Sequence, residues 1–327
     1  MRKTITALMM GLLLLIGTTA AHGDKDGVVR FATLPPGPGH PEGIAADKSG
    51  NIYVATFDFT TTNAIHIFGT NGQLLISIPL PGAVPLGLAF DTAGNLYVAN
   101  FGGGTVLKFS PPFTSSSVPS ATYSVCTLVV FVDCGLNAMT FDAGGDLYVS
   151  DSFGGKIYKI DLPAGTVSLF VSDELLKPAP FPHGFPPFGA NGLAFSKDGA
   201  TLFVANTADD RILKVNVTSK VVIPFAESIN GADGILFDSQ GRLWVAANQA
   251  DEIVALNADG RVIERRGSFE GIGLDGAIKG LSFPASIVLS KGSLFVTNAA
   301  LALTGTNSEP EADVTTFTIS RIPLGRH

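Results

Sequence analysis

The sequence predicts an all-β protein, a six-bladed β-propeller closed by an N-terminal strand in its last blade. Three observations carry this. One strand-turn-strand motif recurs six times along the chain. Glycine (38) and proline (20) are abundant, as many short strands joined by turns require. The sixth unit also ends after three strands, while a strand-like segment stands unassigned near the N-terminus.

The six copies begin at Pro41 (PEGIAADKSGNIYVATF), Pro85 (PLGLAFDTAGNLYVANF), Leu136 (LNAMTFDAGGDLYVSDS), Ala190 (ANGLAFSKDGATLFVAN), Ala232 (ADGILFDSQGRLWVAAN) and Pro284 (PASIVLSKGSLFVTN). Their starts lie 44, 51, 54, 42 and 52 residues apart. Periods of ~40–50 residues with several strands each mark propeller blades.

Each unit justifies its strands in turn. The first strand is a nearly continuous apolar run, as expected of a strand buried on both faces. An Asp-x-x-Gly turn follows, in which Asp accepts backbone N–H groups and Gly takes the left-handed conformation. Asp47, Asp91, Asp142 and Asp238 hold that turn position and read as structural. The second strand (IYVAT, LYVAN, LYVSD, LFVAN, LWVAA, LFVTN) is branched and aromatic, with the lone Trp244 in its core. Asn100, Asp151, Asn206 and Asn298 end second strands and read as hairpin caps. Third and fourth strands follow, for example from Gly155 and from Asp210. The last unit has a third strand near residues 313–322, and residues 28–34 are expected to supply its missing outer strand. Such a closure leaves neither end of the ring to fray.

Charged residues make up 15% of the 327-residue chain and hydrophobic ones 46%, with a net charge of −7. A chain of this sign is poorly suited to a nucleic-acid partner. Arg2 and Lys3 precede an apolar run from Ile5 to Ile16, and Thr19-Ala20-Ala21 offers a cleavage site. The run is short for a membrane span, which needs ~20 residues. It reads as a signal peptide over 1–21 ahead of one propeller over 22–327, with an uncleaved anchor as the alternative. No stable membrane span is expected after cleavage, and the mature protein is expected to be secreted or periplasmic. In an oxidising compartment the only cysteines, Cys126 and Cys134, suit a disulfide across one loop; two free buried thiols are the alternative.

First strands of a propeller line its central channel. The residues entering them are Glu42, Leu86, Asn137, Asn191, Asp233 and Ala285, each followed by a small residue. A purely structural position should look alike in every copy, and this one does not. The ring would bring Glu42, Asn191 and Asp233 together. Two carboxylates in a narrow mouth repel, and a cation relieves the repulsion. Oxygen-only ligands suit Ca²⁺ or Mg²⁺, with open positions left for water or substrate. The competing reading is three ordinary turn or capping residues. His40 and His183 lie on segments leading to the same mouth and are candidates for a substrate contact and a general base. No nucleophile elbow, P-loop, dinucleotide fingerprint or His-Glu-x-x-His is present.

PEGIAAD with Glu42, ANGLAFSKDG with Asn191 and ADGILFDSQGRLWVA with Asp233 resemble the three metal-ligand motifs of the SMP-30/gluconolactonase family. The resemblance spans about residues 27 to 323. It implies a six-bladed propeller that holds one divalent cation, most simply Ca²⁺, through Glu42, Asn191 and Asp233, and hydrolyses a lactone or ester. It also implies that Asp233 doubles as general base and that Asn137 contacts substrate or water. The family's arginine two residues ahead of that Asn has no counterpart, since Gly135 stands there. Together with the apolar FPHGFPPFG segment, this points away from a sugar-acid lactone. The LYVAN-type repeats also resemble NHL-repeat propellers, which implies a rival reading as a non-catalytic module binding a ligand or protein partner.

Overall fold

A computed structural model describes residues 27–129, 132–179, 187–303 and 309–325. The expected signal peptide, 1–21, lies outside the described residues. Six four-stranded antiparallel sheets follow one another along the chain as the blades of a propeller. Blade 1 is built from His40–Ala46, Ile52–Phe57, Asn63–Phe68 and Leu74–Leu80. Blade 2 has Pro85–Phe90, Leu96–Asn100, Thr105–Phe109 and Ala121–Ser124. Blade 3 has Leu136–Phe141, Leu147–Asp151, Lys156–Asp161 and Thr166–Ser172. Blade 4 has Ala190–Phe195, Thr201–Asn206, Arg211–Asn216 and Val222–Ala226. Blade 5 has Ala232–Phe237, Leu243–Ala247, Glu252–Leu256 and Val262–Arg266.

Blade 6 takes Pro284–Ser290, Ser293–Asn298 and Thr318–Pro323 from the C-terminal end, and its outer strand is Val29–Thr33. That strand pairs antiparallel with the third, Val29 opposite Arg321 and Thr33 opposite Thr318. The expected closure is therefore present. The third strand begins at Thr318, later than the sequence suggested, because Pro310–Asp313 forms a turn of 3-10 helix instead. A short hairpin, Phe269–Ile272 with Ile278–Gly280, sits between blades 5 and 6 and was not anticipated.

The Asp-x-x-Gly turns work as their chemistry requires. Asp47 accepts the Asn51 N–H at 2.9 Å, Asp91 that of Asn95 at 2.8 Å, Asp142 that of Asp146 at 3.0 Å and Asp238 that of Arg242 at 3.0 Å. The second carboxylate oxygen takes a bond from the second strand, from Tyr97 at 3.3 Å, Tyr148 at 3.2 Å and Trp244 Nε1 at 2.9 Å. Each large ring can therefore be buried with its polar atom satisfied. The strand-end residues do more than cap hairpins. Asn100 Oδ1 accepts the Val84 N–H, and Asp151 Oδ1 accepts that of Gly135, tying each second strand to the segment that leads into its own blade.

Apolar side chains fill the spaces between neighbouring blades. Trp244 of blade 5, for example, belongs to one buried cluster with Leu294, Val296 and Ile322 of blade 6. Cys126 and Cys134 form a disulfide. Gly104 lies against it with φ +58°, and a Cβ there would stand 2.2 Å from the Cys126 carbonyl oxygen. Among the described residues no helix is long and apolar enough to cross a membrane.

Candidate functional site

Every blade carries a β-bulge at the same place. The pairing of first and second strands slips between Pro41 and Ile44, Pro85 and Leu88, Leu136 and Met139, Ala190 and Leu193, Ala232 and Ile235, and Pro284 and Ile287. Two residues on the first strand thus face one on the second, and the extra residue re-aims its neighbour's side chain. The bulged pairs are Glu42-Gly43, Leu86-Gly87, Asn137-Ala138, Asn191-Gly192, Asp233-Gly234 and Ala285-Ser286. The small second member answers to the adjacent blade. A Cβ on Gly43 would lie 1.8 Å from the Leu86 carbonyl oxygen, and one on Gly192 2.1 Å from that of Asp233. The bulges and the close approach of successive first strands together place the first members of the pairs around the channel mouth.

Glu42, Leu86, Asn137, Asn191, Asp233 and Ala285 all line one cavity of about 550 Å³. The three residues expected to hold a cation are thus brought together, with Asn137 beside them. All four polar side chains are buried. Neighbouring blades hold the backbone here. Ser152 Oγ donates to the Ala190 carbonyl, Thr207 Oγ1 to that of Ala232 and Thr297 Oγ1 to that of Glu42, each at 2.7 Å.

Asn191 Nδ2 donates to Thr207 Oγ1 at 3.0 Å, and Asn248 Nδ2 donates to Asp233 Oδ2 at 2.9 Å. Among the described residues, seven buried side-chain nitrogen or oxygen atoms lack a partner, and three of them belong to this site: Glu42 Oε2, Asp233 Oδ1 and Asn248 Oδ1. Burial lifts the Asp233 carboxyl to about 7, against the pull of the Asn248 and Asn191 amides. Burial, and then the charge of Asp233, push Glu42 well above its ordinary value. Two desolvated carboxylates with bare oxygens and an amide oxygen beside them fit a hard divalent cation, which would satisfy the oxygens and favour both ionised forms. Among the described residues no three His, Cys, Asp or Glu side chains gather into a metal-binding group, so such a shell rests on two carboxylates, amide oxygens and solvent.

The rest of the cavity wall is apolar, with Phe57, Phe59, Phe101, Phe188 and Phe283 among its members. His40 departs from its expected place at the mouth. It is the first residue of blade 1, its Nδ1 lies 2.7 Å from the Ala299 carbonyl oxygen, and its ring packs on Phe57 and Phe317. It lines an adjoining pocket with Glu311 and Thr315, which shares Leu301 and Ala302 with the site cavity. Phe57, the cross-strand partner of His40, is the one of the two that lines the site cavity. His183 lies outside the described residues.

Residues 188–267 match the family described as SMP-30/Gluconolactonase/LRE-like region. The chain is similar to that family over this stretch. The match includes Asn191, Asp233 and Asn248. No curated protein matches the chain. Among solved structures, a luciferin-regenerating enzyme superposes with a TM-score of 0.67 at 16% identity, over 90% of this chain and 94% of that one. Regucalcin from Agrobacterium tumefaciens, described as a calcium-binding protein, gives 0.62 at 19% identity over 91% and 98%. Virginiamycin B lyase from Staphylococcus aureus gives 0.58 at 12% identity over 91% and 98%. At these identities the structural likeness establishes the propeller fold.

Two polar residues of this site carry no motif of their own in the sequence, Thr207 and Asn248. Both occupy the position at or just beyond the end of the second strand, which reads Phe57, Phe101, Ser152, Thr207, Asn248 and Ala299 around the ring. That position varies between copies as the first-strand position does, and the same comparison across repeats would have exposed it.

Proposed function

We propose that the protein is a divalent-cation-dependent hydrolase of the SMP-30/gluconolactonase type acting on a lactone or ester, with Ca²⁺ as its cation. The observation that carries this reading is the trio of bare buried oxygens on Glu42, Asp233 and Asn248, residues that line a cavity large enough for a small molecule. Glu42, Asn191 and Asp233 would hold the cation, whose chemistry when bound is polarisation of an acyl carbonyl. Asp233 Oδ1 accepts a proton from water as the water oxygen bonds to the acyl carbon. The acyl C–O bond breaks, and the proton passes to the departing alkoxide, leaving an acid and an alcohol. Asn248 holds the other oxygen of Asp233 and so fixes which lone pairs face the water. Asn137 orients the substrate from blade 3. The proposed place of work is outside the cytoplasm, secreted or periplasmic, a reading supported by the apolar N-terminal run and the disulfide.

Calorimetric titration with CaCl₂, with hydrolysis assays on γ-butyrolactone with and without Ca²⁺, tests the proposal. Binding at or below millimolar Ca²⁺ with cation-dependent turnover supports it. Binding without turnover leaves a metal-stabilised scaffold. Absence of both favours the NHL-like binding module, to which a site with only two acidic side chains is also open.

A further inference from the structure

The channel mouth is two-sided, and the sides are assigned by blade. At or just beyond the ends of the second strands, blades 3, 4 and 5 carry Ser152, Thr207 and Asn248, whereas blades 1, 2 and 6 carry Phe57, Phe101 and Ala299. The first-strand ring repeats the division, with Leu86 and Ala285 on blades 2 and 6 and the two Asn and Asp233 on blades 3 to 5. Glu42 alone crosses it. Rings extend the apolar side into a continuous wall. Phe57 meets Phe59 at 6.1 Å between centroids, Phe59 meets Phe101 at 6.2 Å, and Phe101 meets Phe188 at 6.3 Å. Phe153 backs the wall, 5.4 Å from Phe101 and stacked on Phe188 at 5.6 Å. Leu128, in the loop closed by the disulfide, completes it.

Among the described residues no Lys, Arg or His lines the cavity. Among the described residues, a substrate bearing its own carboxylate or phosphate would find no cationic side chain, and would lie beside Glu42 and Asp233. A polyhydroxylated ring would leave its hydroxyl groups against phenyl rings, each unpaired polar group costing ~1–3 kcal/mol.

We propose that the substrates are uncharged lactones or esters with a long aliphatic or aryl substituent, the carbonyl lying at Glu42, Asn137, Asn191 and Asp233 and the substituent against Phe57, Phe59 and Phe101. This rests on the hydrolase reading for the reaction but on the wall for the ligand, so the two can fail separately. The test compares γ-undecalactone, γ-butyrolactone and glucono-δ-lactone on the mature chain with CaCl₂, by initial rates and by calorimetric binding. The expected result is a KM for γ-undecalactone at least about tenfold below that for γ-butyrolactone, since each buried CH₂ is worth ~0.8 kcal/mol. Glucono-δ-lactone should be the poorest of the three. Phe59 is 70% exposed, so Phe59→Ala should fold normally and should shrink the preference for γ-undecalactone over γ-butyrolactone several-fold. Equal or better kcat/KM on glucono-δ-lactone would overturn the substrate class while the hydrolase reading stood. If no lactone is turned over, the hydrolase reading fails. Calorimetric binding of γ-undecalactone with none of glucono-δ-lactone would then still support the apolar ligand class, and no binding of γ-undecalactone would overturn it.

Discussion

Asn248 and Asp233 are joined by one hydrogen bond, 2.9 Å from the amide nitrogen to Oδ2, and both residues are buried. The bond spans a single blade, from the residue after its second strand to the bulge of its first. It satisfies one oxygen of the carboxylate and leaves the other bare in the cavity. The two carboxylate oxygens are thereby made inequivalent, one anchored and one available.

Replacing Asn248 tests that inequivalence. A hydrogen bond to the ionised form lowers a carboxyl pKa, so Asn248→Ala should raise that of Asp233, which this amide holds down. The acid limb of the kcat/KM profile should move to higher pH, while activity well above the limb is largely retained. A profile that keeps its shape and loses height at every pH would assign Asn248 to substrate or cation instead.

Asp233→Asn separates holding from proton transfer. An amide oxygen can still coordinate a hard cation, so Ca²⁺ affinity should weaken without vanishing. Turnover should fall by ~10²–10⁴-fold, the usual worth of a general base. Calorimetry and lactone hydrolysis on the same preparation read the two effects. Retained turnover with lost Ca²⁺ binding would show a ligand that is not the base.

The ring, its six blades and the partnership of Glu42, Asn191 and Asp233 were legible because the repeats can be aligned by eye. Positions that repeat, such as Asp47 and Asp91 in their turns, declared themselves structural. Positions that varied declared the channel mouth. The bulges were not legible, since a register slip is a property of two strands and leaves no mark on either beyond a small residue. His40 misled for a related reason. Proximity to Glu42 in sequence suggested proximity in the mouth, whereas its ring packs against Phe317, a residue 277 positions away that no local pattern connects to it.

His66 offers a pH dependence independent of the mouth. It lies in the third strand of blade 1, with Nδ1 2.8 Å from Ser77 Oγ, and burial lowers its pKa from 6.5 to about 4. The folded state keeps the ring neutral, while the unfolded chain protonates it below about 6.5. Its contribution to stability is therefore complete above 6.5 and is lost as pH falls towards 4, amounting to ~3 kcal/mol over that window. Asp251, raised to about 6 by burial, works in the opposite direction. The informative quantity is thus the difference between wild type and His66→Gln. Urea unfolding at pH 7 and at pH 4.5 should show a smaller loss on acidification for the variant. Equal losses would mean that His66 is protonated in place.

The ring is closed by eight residues at the start of the described chain, and their removal is the most direct test of its architecture. Val28, Ala32 and Leu34 are each about 95% buried, and a fully buried aliphatic side chain contributes ~1.5–3 kcal/mol. The Arg30–Asp275 pair on the same strand is exposed on both sides and adds little. Deleting 27–34 from the mature chain removes that packing and the pairing with Thr318–Pro323, leaving the edge of blade 6 bare. A bare edge recruits other strands. The deletion should therefore lower the melting temperature and yield oligomers on size-exclusion chromatography. Leu34→Ala keeps the strand but hollows its contact, and should cost ~2–5 kcal/mol without oligomers. Val29→Ala is the surface control, since Val29 is 37% exposed, and should change stability little. A deletion that stays monomeric with an unchanged melting temperature would show that three C-terminal strands suffice to close the ring.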